Sequence, residues 1–296
     1  MAKKPSAPKE PSTFQIGWAI HQMKRDVEYR NVVVARPGHT IVEFDAAGQE
    51  YRWMAIASGD PTMLKLCTGD EDPHSFMATQ MDTAFEYREL MEVVADKTHP
   101  RFREAREIRQ GGKVGNLSLQ YRTSPKTYYI RARVDYGMTI TMKQAEFGYF
   151  IYHKTYPGVK RFWAKAIAKA QACGYAETFA GRRIQLQGDW ANRDKWQLES
   201  TSINYQIQGT GADQKYLAMS TLAPHIEEAG ARFMLDLHDG IYLEVPDNKA
   251  EKFCRAGKQA LDDLPYTKAW GFTPPIPLPF DVKAGKAWGE LKEVKL

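Results

Sequence analysis

Long apolar runs are missing from this chain. No uninterrupted stretch of its 296 residues approaches the roughly 18 apolar positions that cross a bilayer. Residues 1–12 (MAKKPSAPKEPS) lack the apolar centre of a secretory signal and read as a disordered tail. Cysteine is scarce: Cys67, Cys173 and Cys254 are isolated and odd in number. That argues against a disulfide framework or a cysteine-based zinc site, and for a reducing compartment. There is no internal repeat. Acidic residues are thin in one region: residues 97–133 hold ten Lys or Arg against Glu104 and Glu107, a local +8 in a chain of net charge +5. Such a concentration is either a solvated helix face or the footprint of a phosphate-rich partner. What is present is ordinary for a globular protein, with 43% hydrophobic and 26% charged residues. The length allows one large domain or two smaller ones.

Patterning along the chain predicts the elements. Residues 31–35 and 40–45 are β-rich runs joined by Arg-Pro-Gly-His and are expected to be adjacent antiparallel strands. Residues 50–58 have helical character and stop at Gly59-Asp60-Pro61. Residues 61–121 are mainly helical, with breaks near 70–73 and 98–100. Further helices are expected at 142–156, at 159–172 with Cys173-Gly174 as its end, at 198–223 and at 249–264. Residues 176–179 and 183–187 flank Gly181 as a short hairpin. Residues 233–245 (FMLDLHDGIYLEV) form a second hairpin, its Asp239-Gly240 step suiting a turn with φ > 0. Residues 274–288 are Pro-rich, so a strand there is expected at a sheet edge. The order predicts an α+β protein: an antiparallel sheet with a mainly helical subdomain inserted into it.

Three groups of residues carry chemistry. Asp239 sits beside His238 at the tip of the 233–245 hairpin, where a fixed carboxylate can hold a metal ion if a second acid joins it. Asp45, at the end of the run 40–45, is the candidate; Glu50 follows five residues later, with small Ala46, Ala47 and Gly48 between. Two carboxylates holding two Mg²⁺ ions suit in-line phosphoryl transfer. The plainer readings are a polar turn tip and a helix cap at Asp45. Arg109, Lys113, Leu117 and Tyr121 recur every four residues, one helical face. Gly111 and Gly112 between them each cost a helix about 1 kcal/mol relative to Ala. A polyanionic ligand, with glycine clearing space for it, accounts for both features; a solvated basic face accounts for the first.

Several segments in order then resemble the DNA polymerase I family (family A). They are Asp45-x4-Glu50-x-Arg52 with Ser58-Gly59-Asp60; Arg109-x3-Lys113-x7-Tyr121; Tyr156-Pro157-Gly158; and Gly174-Tyr175-x2-Thr178-x2-Gly181-Arg182-Arg183. They continue with Asn204-x3-Gln208-Gly209-Thr210-x-Ala212-Asp213, His238-Asp239 and Gly285-x2-Trp288. The resemblance implies a palm in two parts (13–66 and 181–296) around fingers at 67–180. It implies template-directed DNA synthesis by two-metal phosphoryl transfer, with Asp45 and Asp239 holding two Mg²⁺ ions. Arg109, Lys113 and His74 would bind the incoming triphosphate, Lys113 also protonating the pyrophosphate. Glu50 would exclude a ribose 2′-hydroxyl, Leu117 would lie beside the sugar, and Tyr121 would stack at the templating position. Arg182, Asn204, Gln208 and His238 would touch primer–template DNA. The expected partners are that DNA and deoxynucleoside triphosphates, with no membrane.

The sequence also departs from the family pattern. Leu117 replaces an aromatic residue, Arg122 the Gly after the fingers tyrosine, Ser200 an Arg, and Gly240 the acid after the catalytic Asp. Asp236 is a weak substitute acid, because strand alternation sets it with His238. Only 44 residues precede Asp45, so no thumb or proofreading exonuclease is expected. Weak DNA binding and low processivity are expected of the chain alone. The missing parts are left to a separate polypeptide, as in a split polymerase, with a viral source and host cytoplasm as the corresponding expectation. A single-subunit RNA polymerase or primase relative, and an inactive accessory subunit, remain the alternatives.

Overall fold

The computed structural model describes residues 27–237 and 239–296. After a helical turn at Val27–Arg30 come strand β1 (His39–Ala46) and helices α1 (Gln49–Ser58), α2 (Pro61–Thr68), α3 (Pro73–Met81), α4 (Tyr87–Ala95), α5 (Phe102–Leu119), α6 (Pro125–Val134), α7 (Met142–Thr155) and α8 (Pro157–Cys173). A short hairpin of β2 (Tyr175–Glu177) and β3 (Arg183–Gln185) follows. Helix α9 (Lys195–Asn204) runs through a π-helical turn at Tyr205–Gly209 into α10 (Thr210–Ala229). The chain closes with β4 (Arg232–Leu237), β5 (Gly240–Pro246), α11 (Ala250–Asp262), α12 (Tyr266–Trp270), β6 (Phe280–Gly285) and β7 (Lys292–Glu293). This is the expected α+β class.

Contacts divide the described residues into two units. One holds 27–47, Leu217–Leu264 and Pro279–Leu296; the other holds Gly48–Tyr216 and Pro265–Leu278. The first is built on an antiparallel sheet of order β4-β5-β1-β6-β7. β1 alternates between two jobs. Val42 and Phe44 are fully buried, with Phe44 edge-on to Phe253 of α11 at 5.9 Å. Burial of such side chains stabilises by about 1.5–3 kcal/mol each. Gly257 on α11 permits the approach, since a Cβ there would lie 2.5 Å from the Phe44 ring. The other face carries Ile41, packed with Leu237, Tyr242 and Trp288, and then Glu43 and Asp45.

The second unit is mainly helical, and its helices start where local chemistry says they should. Asp60 and Asp72 accept backbone N–H groups at the starts of α2 and α3, each followed by Pro in the first turn. Thr141 and Gln144 form a reciprocal capping box on α7. Helix α8 ends at Gly174 with φ 76°. Trp53 is fully buried on α1, stacked on Phe179 at 5.5 Å, with its indole N–H on Gln214 at 2.8 Å.

Several expectations are corrected. Residues 31–35 are not a strand beside β1, because β5 and β6 already occupy both edges of β1. Instead Val34 makes a single bridge to Ala287, and Trp288 N–H donates to Val33 O. The strand after the prolines is not at the edge: β6 lies between β1 and β7, and all four prolines of 274–279 precede it. The predicted helix 198–223 extends over 195–229 and carries Pro224 inside it. Helix α6 was not expected. Gly240 is absent from the positive-φ residues; it opens β5 as the partner of Asp45.

Candidate active site

The two sets of chemically active residues fall in different units. In the sheet unit, Asp45 is the last but one residue of β1 and pairs with Gly240 on one side and Asp281 on the other. Asp239 immediately precedes Gly240. Sheet register thus places Asp45 against the start of the strand that Asp239 introduces. Burial, then the charge of Asp239, pushes the Asp45 carboxyl up to about 7, with Lys283 pulling the other way. His238 lies outside the described residues.

Helix α1 has Gly48 as its N-cap, with no side-chain cap bond, so Asp45 is not the helix cap. Asp236 pairs with Ile241, which in turn opposes Phe44. It therefore belongs to the neighbouring row of side chains and does not join Asp45.

The hard carboxylate oxygens of Asp45 and Asp239, which repel each other, suit a divalent cation such as Mg²⁺. Among the described residues no three His, Cys, Asp or Glu groups are gathered closely enough to form a metal cage. A pair of acids with the remaining positions left to water or phosphate fits the way Mg²⁺ is usually held.

Besides its cross-strand partner Asp281, two further neighbours of Asp45 escaped the sequence reading. Glu43 is buried, 8% exposed, and accepts the Tyr242 hydroxyl at 2.5 Å and the Lys283 ammonium at 3.1 Å. Lys283 Nζ also lies 4.0 Å from Asp45 Oδ2. Strand pairing brings these together from residues 240 positions apart, which no local pattern announces.

In the helical unit, α5 carries Arg109, Lys113 and Leu117, but ends at Leu119, before Tyr121. The Arg109 guanidinium forks onto Asp72, Nε to Oδ2 at 2.8 Å and Nη2 to Oδ1 at 3.2 Å. Burial would raise the Asp72 carboxyl; hydrogen bonds from Arg109 and Ser75 outweigh it and hold the group below its ordinary range. His74, in the first turn of α3, is pushed down to about 4 by burial and by Arg109 and Lys113 against the pull of Asp72, so its ring is neutral near pH 7. Asn116 donates to Pro73 O at 2.9 Å and lies 3.2 Å from His74 Nδ1. Arg109, Lys113 and His74 thus share one pocket of charge, with Asp72 and Asn116 as supports that the sequence reading missed.

Gly112 has a different role from the one expected. A Cβ there would lie 2.1 Å from His74 O and 2.5 Å from Ala78 N. It lets α5 touch the α3 backbone, and it does not clear room for a ligand. Gly111 faces only the Met138 methyl, at 3.3 Å.

Glu50, on the first turn of α1, accepts the Tyr121 hydroxyl at 3.0 Å and Gln120 Nε2 at 3.2 Å. Gln208 also reaches the Tyr121 hydroxyl. Burial, then the Glu50 charge, raises the Tyr121 phenol far above its ordinary value, so it stays a neutral donor. Arg122 has φ 58° and pairs with Glu199 at 2.6 Å. Arg182 donates to Asp213 at 2.7 Å and to Tyr205 and Gly209. Asn204 lies at the end of α9, its Oδ1 buried without a protein partner.

DNA polymerase I of Deinococcus radiodurans is 28% identical over 268 residues, 90% of this chain and 25% of that protein. The thermostable DNA polymerase I of Thermus aquaticus is 28% identical over 267 residues, 89% of this chain and 29% of that protein. The polymerase domain of Pol1 from M. smegmatis, solved with DNA primer-template and dNTP, shares the fold with TM-score 0.72 and 24% identity, over 89% of this chain and 42% of that one. The chain spans little more than a quarter of the length of these curated relatives. No described helix is long and apolar enough to cross a membrane. A profile of DNA polymerase family A matches residues 9–290, and the chain belongs to that family.

Proposed function

We propose that the chain is the catalytic part of a template-directed DNA polymerase that adds deoxynucleotides to a primer 3′-hydroxyl. The observation that carries the reading is the acid pair Asp45 and Asp239, set by the β1–β5 register in a chain of this family. These two residues would hold two Mg²⁺ ions, which when bound would supply charge neutralisation for the triphosphate and activation of the 3′-hydroxyl. Arg109 and Lys113 bind the incoming triphosphate. Asp72 fixes the Arg109 fork through Nε and Nη2, which leaves Nη1 to meet a phosphate oxygen. His74, neutral and held beside Asn116, donates one hydrogen bond to the same group. Lys113 passes a proton to the departing pyrophosphate.

Glu50 is the sugar gate. Its carboxylate is held by Tyr121 and Gln120, so a 2′-hydroxyl meets a fixed group that cannot swing aside. Leu117 faces the sugar with an aliphatic surface, and Tyr121 stacks at the templating position. Arg182, Asn204, Gln208 and His238 contact the DNA backbone and minor groove, which suits binding without sequence preference. The partners are primer–template DNA and deoxynucleoside triphosphates. The compartment is the cytoplasm, in keeping with three cysteines that form no disulfide.

The test is primer extension by the purified chain, alone and with any co-purifying subunit, beside Asp45→Asn and Asp239→Asn. Mg²⁺-dependent extension with deoxynucleotides, lost in both variants, is expected. Extension that survives Asp239→Asn, or a preference for ribonucleotides, overturns the reading.

A further inference from the structure

Sheet register builds a row of three side chains next to the carboxylate pair. Glu43 on β1 is the cross-strand partner of Tyr242 on β5 and of Lys283 on β6. Both Glu43 oxygens are engaged: Oε1 takes the Tyr242 hydroxyl at 2.5 Å and Oε2 the Lys283 ammonium at 3.1 Å. Glu43 is therefore an anchor and not a ligand in waiting. The anchor is itself braced. The Tyr242 ring meets Trp288 edge-on at 5.9 Å and covers Gly240, where a Cβ would lie 3.0 Å from the ring.

What the anchor holds is a cation. A lysine side chain has four rotatable bonds, and ordering it costs entropy that an isolated surface contact rarely repays. Here a buried carboxylate fixes it, and the ammonium comes to rest 4.0 Å from Asp45 Oδ2. At that distance in a half-buried site a unit charge acts strongly on its neighbour.

We propose that Lys283 is a tethered counter-ion of Asp45, a positioning residue that sets how tightly the Asp45–Asp239 pair binds a divalent cation. The inference rests on the reading that this pair holds such ions. The ammonium offsets the repulsion between the two carboxylates, so they can stay close without a bound ion. The same charge opposes a divalent cation. The pair is thereby kept assembled with moderate affinity, and the ion enters most readily with the negative charge of a triphosphate.

Charge and tether predict opposite effects. Lys283→Met removes the opposing charge and strengthens cation binding. Glu43→Gln removes the negative charge that balances Lys283 and weakens it. A merely structural role for the row weakens binding in both variants.

The experiment titrates Mn²⁺ into the full chain without nucleotide or DNA and follows free Mn²⁺ by electron paramagnetic resonance, with Asp45→Asn as the blank. Circular dichroism melts establish that each variant is folded. The expected result is a dissociation constant about five- to tenfold lower in Lys283→Met and higher by a similar factor in Glu43→Gln. Unchanged or weaker binding in Lys283→Met overturns the inference while leaving the carboxylate pair as a metal site. No Asp45-dependent Mn²⁺ binding in either the wild type or Lys283→Met overturns the metal reading and the inference with it.

Discussion

Replacing Gly112 by alanine tests how the contact between α3 and α5 is built. The added Cβ would lie 2.1 Å from His74 O, 2.5 Å from Ala78 N and 2.9 Å from Ala78 Cα. All three are backbone atoms of α3, so no side chain can turn away; the helices must part by roughly 1 Å or more to restore van der Waals contact. Overpacking of a well-packed contact costs about 1–3 kcal/mol, and a backbone clash falls at the upper end of that range. Alanine returns about 1 kcal/mol in helix propensity, leaving a net loss of about 2 kcal/mol. Gly111→Ala is the internal control. It gains the same propensity and meets only the flexible Met138 methyl at 3.3 Å, so it is expected to be neutral or stabilising by up to about 1 kcal/mol. Thermal and urea unfolding of the two variants are the assay. Gly112→Ala is expected to melt several degrees lower than wild type and Gly111→Ala at or above it. The reasoning is refuted if Gly112→Ala keeps wild-type stability, or if it alone loses nucleotide affinity without loss of stability. The second result would restore the view that Gly112 makes room for a ligand.

Three further outcomes are expected. At position 122 the left-handed φ of 58° favours glycine, so Arg122→Gly is more stable than Arg122→Ala by about 1 kcal/mol; a double-mutant cycle with Glu199→Gln gives a coupling of about 1–2 kcal/mol for the 2.6 Å ion pair. Asp72→Asn keeps a capping side chain but loses the charged partner of Arg109, and lowers stability by about 1 kcal/mol at pH 7. Because the folded Asp72 carboxyl lies below its ordinary value, its contribution is complete above the unfolded pKa of about 3.9 and fades as pH falls through the lower folded value; denaturation curves for wild type and variant therefore converge on acidification, and a gap that widens contradicts the assignment. In native protein one thiol, exposed Cys173, reacts with a disulfide reagent, and in denaturant all three do; buried Cys67 and Cys254 are each pushed up to about 11, so rapid native modification of either refutes their placement.

Much of this molecule is written locally. The helix starts at Asp60-Pro61 and Asp72-Pro73 are carried by a capping oxygen and a proline a residue apart. The hairpin from β4 to β5 follows from two apolar runs joined at an Asp-Gly step. Asp45 and Glu50 could be singled out because an acid at a strand end and another on the first helical turn stand out against small residues. The ordered set of motifs extended that to a family.

Other features depend on which segments meet. Residues 31–35 have the composition of a strand, yet β1 had no free edge to offer them. The prolines before β6 read as an edge signal, yet they stop at Pro279 and leave the strand itself free to pair on both sides. Gly112 looked like space for a ligand and is a helix contact. Asp72, Asn116 and Gln120 gain their roles only through partners 37 to 70 positions away.

Composition and helix caps thus determined the α+β class and most element positions, because each depends on a few neighbours in the chain. Tertiary structure alone decided that Arg109 is held by Asp72, that Tyr121 fixes Glu50, and that Glu43 ties Lys283 beside Asp45. Those pairings come from strand register and helix contact, which join distant residues by burial and charge and leave no periodic trace in the sequence.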